Sequence, residues 1–531
     1  MCVVCWVGCS PDPRESEGPP AVGVESPGDG TWMGAPVAEG CAPDGGPSPD
    51  AGPPPDGGPG SEDSVLVTNT TRFHTAVGIA ERPGDLSTNP PEILVFDGAR
   101  FLVIQGTPSP EGLRFKGVPP GPYYLSVGGR YVVTDARQVE VGTNRLGRPD
   151  AVYAEVGGIQ ALNLNLSNLE PWRRGTVLEL ASAQVDMSGD VYIPSEAVPE
   201  GAISLNFDGA SYSSYTGSRF PLFESEYRDR LYVNQLSPSS AGALPDGRPL
   251  TYTALTRSVE VGTFDFLPDG VSPLPVTARL QPAKAREFPL EWRLPQFTPF
   301  ATQAHPRAEH SANTFSLLPA AHGVSEGWIG YSGTLLTLRP PAAPMADVTT
   351  RLRFGNPFPS NWGVVAIASA SYRVMEPVPD GSGRLLRLTA SNVVNDRLDN
   401  VIAGPVVPRV SPPRSLTIDG VPASTPRVVG TASPVIAWAP PTLGTPSVYR
   451  VRLGRYDRDA GLVLNVRFVD VPGSITQVRL PPDMLLPGSI YYLAVTALDA
   501  PGFDVRRRPF KTNEMLPYHS ADAISSLFTT P

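Results

Sequence analysis

Leu485-Leu486-Pro487-Gly488-Ser489-Ile490-Tyr491-Tyr492-Leu493-Ala494-Val495-Thr496-Ala497 is the stretch whose reading decides the fold. Its second half alternates. Tyr491, Leu493, Val495 and Ala497 fall on one side of an extended chain, and Tyr492, Ala494 and Thr496 on the other. A period of two over β-favouring residues predicts a half-buried strand. The Pro-Gly before it predicts a turn, because proline holds φ near −65° and glycine tolerates φ > 0. A tyrosine placed just after such a turn can lay its ring over the core and bring its hydroxyl back to the upstream backbone.

The same grammar runs through most of the 531 residues. Proline (63) and glycine (52) are abundant, which disfavours long helices and favours short strands with tight turns. No segment sustains a 3.6-residue apolar period beyond about three turns. The fold class predicted is all-β, as tandem immunoglobulin-like β-sandwiches behind a disordered, Pro/Gly-rich N-terminal tether. The formal charge of −10, with no basic stripe, excludes nucleic acid as the expected partner. Of 42 basic residues only Lys116, Lys284 and Lys511 are lysines, which reads as codon bias rather than guanidinium chemistry.

All four cysteines, Cys2, Cys5, Cys9 and Cys41, precede residue 42. The rest of the chain therefore has neither a disulfide nor a thiolate metal site, which suits an oxidising compartment. Residues 1–9 are almost wholly apolar, too short to span a bilayer, and lack a basic n-region. They read as the end of a signal's apolar region whose start lies upstream. Trp6-Val7-Gly8-Cys9 resembles a bacterial lipobox, which implies lipidation at Cys9; Trp6 stands where that motif usually has leucine. Zinc on Cys2, Cys5 and Cys9 would lack a nearby fourth ligand. Cys41 is an alternative lipidation site without an apolar run before it.

Residues 10–64 form the sharpest compositional break. Trp32 is their only aromatic and Arg14 their only basic residue. Between Cys41 and Gly60, seven residues are proline and six glycine. Such a segment buries too little apolar surface to offset chain entropy, so a disordered linker is expected. Twenty residues of partial polyproline character reach roughly 40–60 Å at ~3 Å per residue.

Residues 65–150 bring short strand patterns: Val65-Leu66-Val67, Ile93 to Phe96, Phe101 to Ile104, Tyr123-Tyr124-Leu125 and Tyr131-Val132-Val133. The run Leu113-Arg114-Phe115-Lys116-Gly117-Val118-Pro119-Pro120-Gly121-Pro122-Tyr123-Tyr124-Leu125 resembles the signature of transthyretin-like, carboxypeptidase-regulatory-like β-sandwiches. The resemblance implies a structural or spacing module.

Residues 151–410 are expected to form one large β-rich domain or two smaller sandwiches. Strand patterns recur at 159–166, 176–180, 203–207, 231–233, 276–280, 335–338, 363–369 and 385–390, with Pro-Asp-Gly turns at 245–247, 268–270 and 379–381. Every candidate for chemistry lies here. His305-Pro306-Arg307-Ala308-Glu309-His310 superficially matches a zinc-protease helix, yet its histidines are spaced i, i+5, about 140° apart around a helix, and Pro306 opposes one. Gly323-Val324-Ser325-Glu326-Gly327 matches the nucleophile-elbow pattern, but the glycine-spaced run after it reads as β or loop where the elbow needs a helix. Asp186/Asp190 and Asp265/Asp269 lack the spacing of a calcium loop and read as turn acids. Tyr212, Tyr215, Tyr227 and Tyr232 either stack on sugars or are ordinary strand residues.

Residues 411–531 show Val435-Ile436-Ala437-Trp438 ended by Pro440-Pro441, then Tyr449-x-Val451-x-Leu453, Val478-Arg479-Leu480, the opening stretch, and Ala523 to Thr529. These resemble a fibronectin type III domain. The resemblance implies that Trp438 and Tyr449 are core aromatics, that Leu485 and Tyr491 form the E–F corner of such sandwiches, and that the module binds or spaces. Residues 500–520, with Arg506-Arg507-Arg508, insert a long segment where the family has a short hairpin.

The function expected is a non-enzymatic, outer-membrane or extracellular lipoprotein for adhesion, scaffolding or envelope binding. Its partners would be the membrane through Cys9, other surface proteins or polysaccharide. No catalytic residue, metal or cofactor is expected. The alternative is a secreted hydrolase or polysaccharide-binding protein whose catalytic part lies in 151–410; a glycosidase would need two acids roughly 5–9 Å apart across a cleft.

Overall fold

The computed structural model describes residues 63–156, 159–214, 219–322, 327–328, 330–343 and 345–531. Cys2, Cys5, Cys9, Cys41, the linker up to residue 62, Tyr215 and Ser325 lie outside the described residues. The chain is all-β: strands alternate with turns throughout, and the helices are single-turn segments such as Phe300–Ala304 and Leu398–Val401. Among the described residues, no helix is long and apolar enough to cross a membrane.

The first sandwich sets Thr107–Ser109, Gly112–Lys116, Ser64–Thr68 and Gln138–Glu140 against Phe101–Gln105, Glu92–Phe96, Tyr123–Val127 and Arg130–Thr134. Alternation along Ser64–Thr68 and Gly112–Lys116 points Val65, Val67, Leu113 and Phe115 inward. Gly121 adopts φ +102° in the turn that feeds Tyr123–Val127, and the buried Tyr123 hydroxyl donates to Ala136 O at 2.5 Å.

The middle region has two parts. In the first, Ile159–Ser167 pairs with Ser204–Ser214, and pairing passes through Met187–Tyr192, Val177–Ser182, Leu231–Ala243 and Pro249–Val261 to Gln281–Pro282. The adjoining Leu274–Arg279 returns to Ile159–Ser167 in parallel register. This circuit encloses Leu162, Leu164, Tyr212, Phe220 and Phe223. In the second part the sheet continues from Pro249–Val261 through Leu336–Leu338, Glu309–Ala320 and Gly363–Pro377 to Leu385–Arg397. The pair Ala285–Trp292 and Val348–Gly355 contributes Phe288, Trp292 and Phe354 to a second core, separate from the first, where Phe288 meets Phe315 at 6.1 Å.

The C-terminal module has a fibronectin-like strand arrangement. Val421–Pro422, Arg414–Ile418, Val435–Ala439 and Gln477–Arg479 form one sheet, and Leu462–Pro472, Val448–Asp457, Ile490–Asp499 and His519–Ile524 the other. Trp438 and Tyr449 meet edge-to-face between them at 5.1 Å. Tyr491 is buried, stacks on Phe528 and accepts the Leu486 N–H at 2.9 Å, so the corner forms where the Pro-Gly turn places it.

Both edges of that second sheet are occupied. On one side Phe468, Val469 and Asp470 pair in parallel with Arg130, Tyr131 and Val132 of the first sandwich. On the other, Ala521 and Ser520 pair with Asn392 and Val393 of the middle region. One sheet therefore runs through all three regions. Unpaired strand edges leave strong donors and acceptors exposed, and here each edge satisfies another. The 500–520 insertion reinforces the junction. Phe503, Val505 and Phe510 enter the first sandwich's core. The Arg506 carbonyl accepts from Thr134 Oγ1, the Arg507 carbonyl from Glu140 N, and the Lys511 carbonyl from Asn144 Nδ2. The tandem sandwiches expected from the sequence are present, and the fold also brings the first module onto the last.

Candidate functional site

The strongest concentration of reactive side-chain types lies where the middle region meets the C-terminal module. The short helix Phe300–Ala304 ends at His305, Gly363–Pro377 carries Glu376, and the irregular link between His519–Ile524 and Phe528–Thr529 carries Ser526. All three side chains are buried. His305 Nε2 lies 3.1 Å from Ser526 Oγ, and that hydroxyl lies 2.8 Å from Glu376 Oε1 and 2.7 Å from the Ser424 carbonyl. Arg307, half exposed, pairs with Glu376. Burial pushes the His305 pKa down, and the Arg307 charge adds to this against the opposing pull of Glu376.

The proton arrangement decides what this set can do. His305 Nδ1 accepts the Arg307 backbone N–H at 3.1 Å. A neutral imidazole then carries its proton on Nε2 and donates it to Ser526, whose own proton goes to Glu376 or Ser424. Activating a serine requires the reverse: a histidine that accepts from the hydroxyl while a carboxylate holds its other nitrogen. The set as built gives Glu376 Oε1 its partners, leaves Oε2 without one among the described residues, and locks three distant segments together. Ala304, Pro306 and Ser424 beside it line a groove of about 300 Å³.

The other sequence candidates separate. His310 Nδ1 bonds the Ala342 carbonyl, and Glu309 pairs with Arg373. His322 lies edge-on to Trp362 at 5.6 Å, and burial lowers its pKa. Asp265 accepts from Ser225 N and Oγ. Asp269 caps its own turn through Ser272 and Val271; the Ser272 hydroxyl and these backbone bonds bring its pKa down to about 2. Tyr212 and Tyr232 are buried, which removes them as a sugar platform; Tyr212 packs on Phe220 and Tyr232 on Phe358. Tyr227 is exposed, but its face is taken by Arg148, 4.3 Å from the ring centroid. That guanidinium also clamps the buried Asp229 through Nε and NH2 at 3.1 and 3.0 Å.

Two features have no local signature. Glu179 is fully buried. Its Oε1 accepts from Thr334 N at 2.9 Å and Asn234 Nδ2 at 3.4 Å, while Oε2 and the nearby buried Ser332 Oγ have no partner among the described residues. Asn234 Oδ1 in turn accepts from Ser258. Burial pushes the Glu179 pKa up to about 8, with Asp190 adding to it. Gly333, at φ +98°, lets the backbone pass so close that a Cβ there would overlap Oε1. The second feature is a groove of about 490 Å³ between residues 261–266, which follow Pro249–Val261, and the start of Leu274–Arg279. Leu231, Val261, Leu274 and Val276 line it, with Phe264 and Phe266, which pack on Phe223 and Phe220.

No family of known proteins matches the chain, and no curated protein does. Among solved structures it is similar to the first three fibronectin type III domains of chicken CNTN1, at 12% identity, over 72% of this chain and 99% of that one, with a TM-score of 0.13. A score so low carries no argument; the fibronectin-like description rests on the strand order, the Trp438–Tyr449 contact and the Tyr491 corner.

Proposed function

We propose that this protein is a non-enzymatic scaffold of the bacterial cell surface, tethered to the membrane by a lipid on Cys9, whose β-sandwiches engage other surface proteins or polysaccharide. The observation that supports this reading best is the sheet shared by all three regions, with the second sheet of the fibronectin-like module at its centre and both edges of that sheet occupied. A scaffold needs modules held in fixed mutual orientation. Here His305, Arg307, Glu376 and Ser526 hold segments of the middle region and the C-terminal module to one another. The Pro/Gly-rich segment supplies the reach between the anchor and the folded body.

Metabolic labelling with a palmitate analogue, in bacterial cells expressing the chain behind an export signal, tests the anchor. The wild-type chain should label and fractionate with the envelope, and Cys9→Ala should do neither. A Cys9→Ala chain that labels as the wild type does would refute the lipobox reading. Turnover of ester or glycoside substrates that disappears in Ser526→Ala would refute the non-enzymatic one.

A further inference from the structure

The long sheet ends at Phe101–Gln105, which pairs on one side with Glu92–Phe96 and has no strand on its other side among the described residues. The hairpin register says which groups that open side presents. Asp97 N bonds the Arg100 carbonyl at 3.0 Å, so 97 and 100 are a hydrogen-bonded pair. Antiparallel pairing alternates, which turns the backbone groups of Leu102 and Ile104 toward Glu92–Phe96. Those of Phe101, Val103 and Gln105, three N–H and three C=O, face outward.

Free strand edges invite pairing, and most proteins blunt them with charge, proline or shortness. Elsewhere this chain does so. Gly78–Pro83 carries Glu81, Arg82 and Pro83, Thr107–Ser109 is three residues with Pro108, and Val421–Pro422 is two residues ending in proline. Phe101–Gln105 has no charge and no proline over five residues. Its apolar side chains also face both ways. Leu102 is 41% and Val103 51% exposed although they are neighbours on opposite faces of the strand, where a solvent-facing position would ordinarily be polar.

We propose that Phe101–Gln105 pairs antiparallel with the same strand of a second copy of this chain, about a twofold axis at Val103. That register sets Phe101 opposite the partner's Gln105, Val103 opposite the partner's Val103, and Gln105 opposite the partner's Phe101. All three are outward-facing positions, so each pair exchanges two N–H···O bonds and every open backbone group is used. Leu102 meets the partner's Ile104, apolar against apolar, and no like charges oppose. A second copy is the occupant the edge specifies because the strand is its own complement in this register. The pairing requires neither the lipid anchor nor an envelope location.

Sedimentation velocity of the full chain across a dilution series tests this, with Val103→Lys and Val103→Thr beside it. The wild type should form a dimer whose share rises with concentration. Val103→Lys, which sets two ammonium groups opposite each other at the axis, should weaken the dimer at least tenfold, and Val103→Thr should retain it. Position 103 is solvent-facing, so both variants should fold, as circular dichroism checks. In the dimer the amides of 101, 103 and 105 should exchange slowly, whereas those of 102 and 104 should be slow at every concentration. A wild-type chain still monomeric at roughly 100 μM, or a Val103→Lys chain that dimerises as tightly as the wild type, overturns the proposal.

Discussion

Replacing Glu179 by glutamine should change how stability depends on pH more than it changes stability at any one pH. The carboxyl is sealed between Asn234 and the Thr334 amide, and burial pushes its pKa up to about 8 from an ordinary 4.5. Between those two values the folded chain holds a proton that the unfolded chain has released. A raised carboxylate pKa therefore leaves stability intact below about 4.5 and removes it progressively as pH rises toward 8. The slope approaches about 1.4 kcal/mol per pH unit, which makes about 3–4 kcal/mol between pH 5 and pH 8. The amide of a Glu179→Gln chain would keep an acceptor for Thr334 and cannot ionise, so its curve lacks this slope. Denaturant unfolding of both chains at pH 5, 6.5 and 8 measures it. The variant should gain on the wild type by about 3–4 kcal/mol across that range, while every other titrating group cancels in the difference. Parallel curves would show that the carboxyl is hydrated or otherwise paired, and would refute the reasoning.

Tyr491→Phe removes the hydroxyl that accepts the Leu486 N–H; a loss of about 1–2 kcal/mol in C-terminal module stability is expected by denaturant unfolding. Phe510→Ala takes an aromatic from the first sandwich's core and from beneath the Arg130 guanidinium, at 4.7 Å. A cost of about 3–5 kcal/mol is expected, read as earlier proteolysis of residues 63–150 than of the C-terminal module. Arg148→Met leaves the fully buried Asp229 without its bidentate partner and should cost about 3–5 kcal/mol, measured by thermal unfolding.

Strand existence was legible wherever alternation met punctuation. The pattern in Ile490–Asp499, the Pro-Gly before it and the inward alternation of Gly112–Lys116 are local properties of the chain, and they appear where they were expected. Strand length was less legible. Gly363–Pro377 and Leu385–Arg397 run well past their apolar starts, because pairing carries polar residues such as Asn392 and Asp396 along once the ladder exists. Glu309–Ala320 was hidden behind the His305 motif, whose last two residues begin the strand.

Short-range chemistry settles what a segment becomes: the turn at Gly488, the strand after it and the tyrosine laid over the core are read from a dozen residues. Which strands become neighbours is a different matter. His305 meets Ser526 across 221 positions, Thr134 meets Arg506 across 372, and the sheet that joins the modules pairs Val469 with Tyr131. Backbone edges are chemically alike, so no residue identity announces its partner. Only the packed arrangement, in which buried donors and acceptors must all find one another, selects those pairings and turns an apparent insertion into the contact that holds the first module to the last.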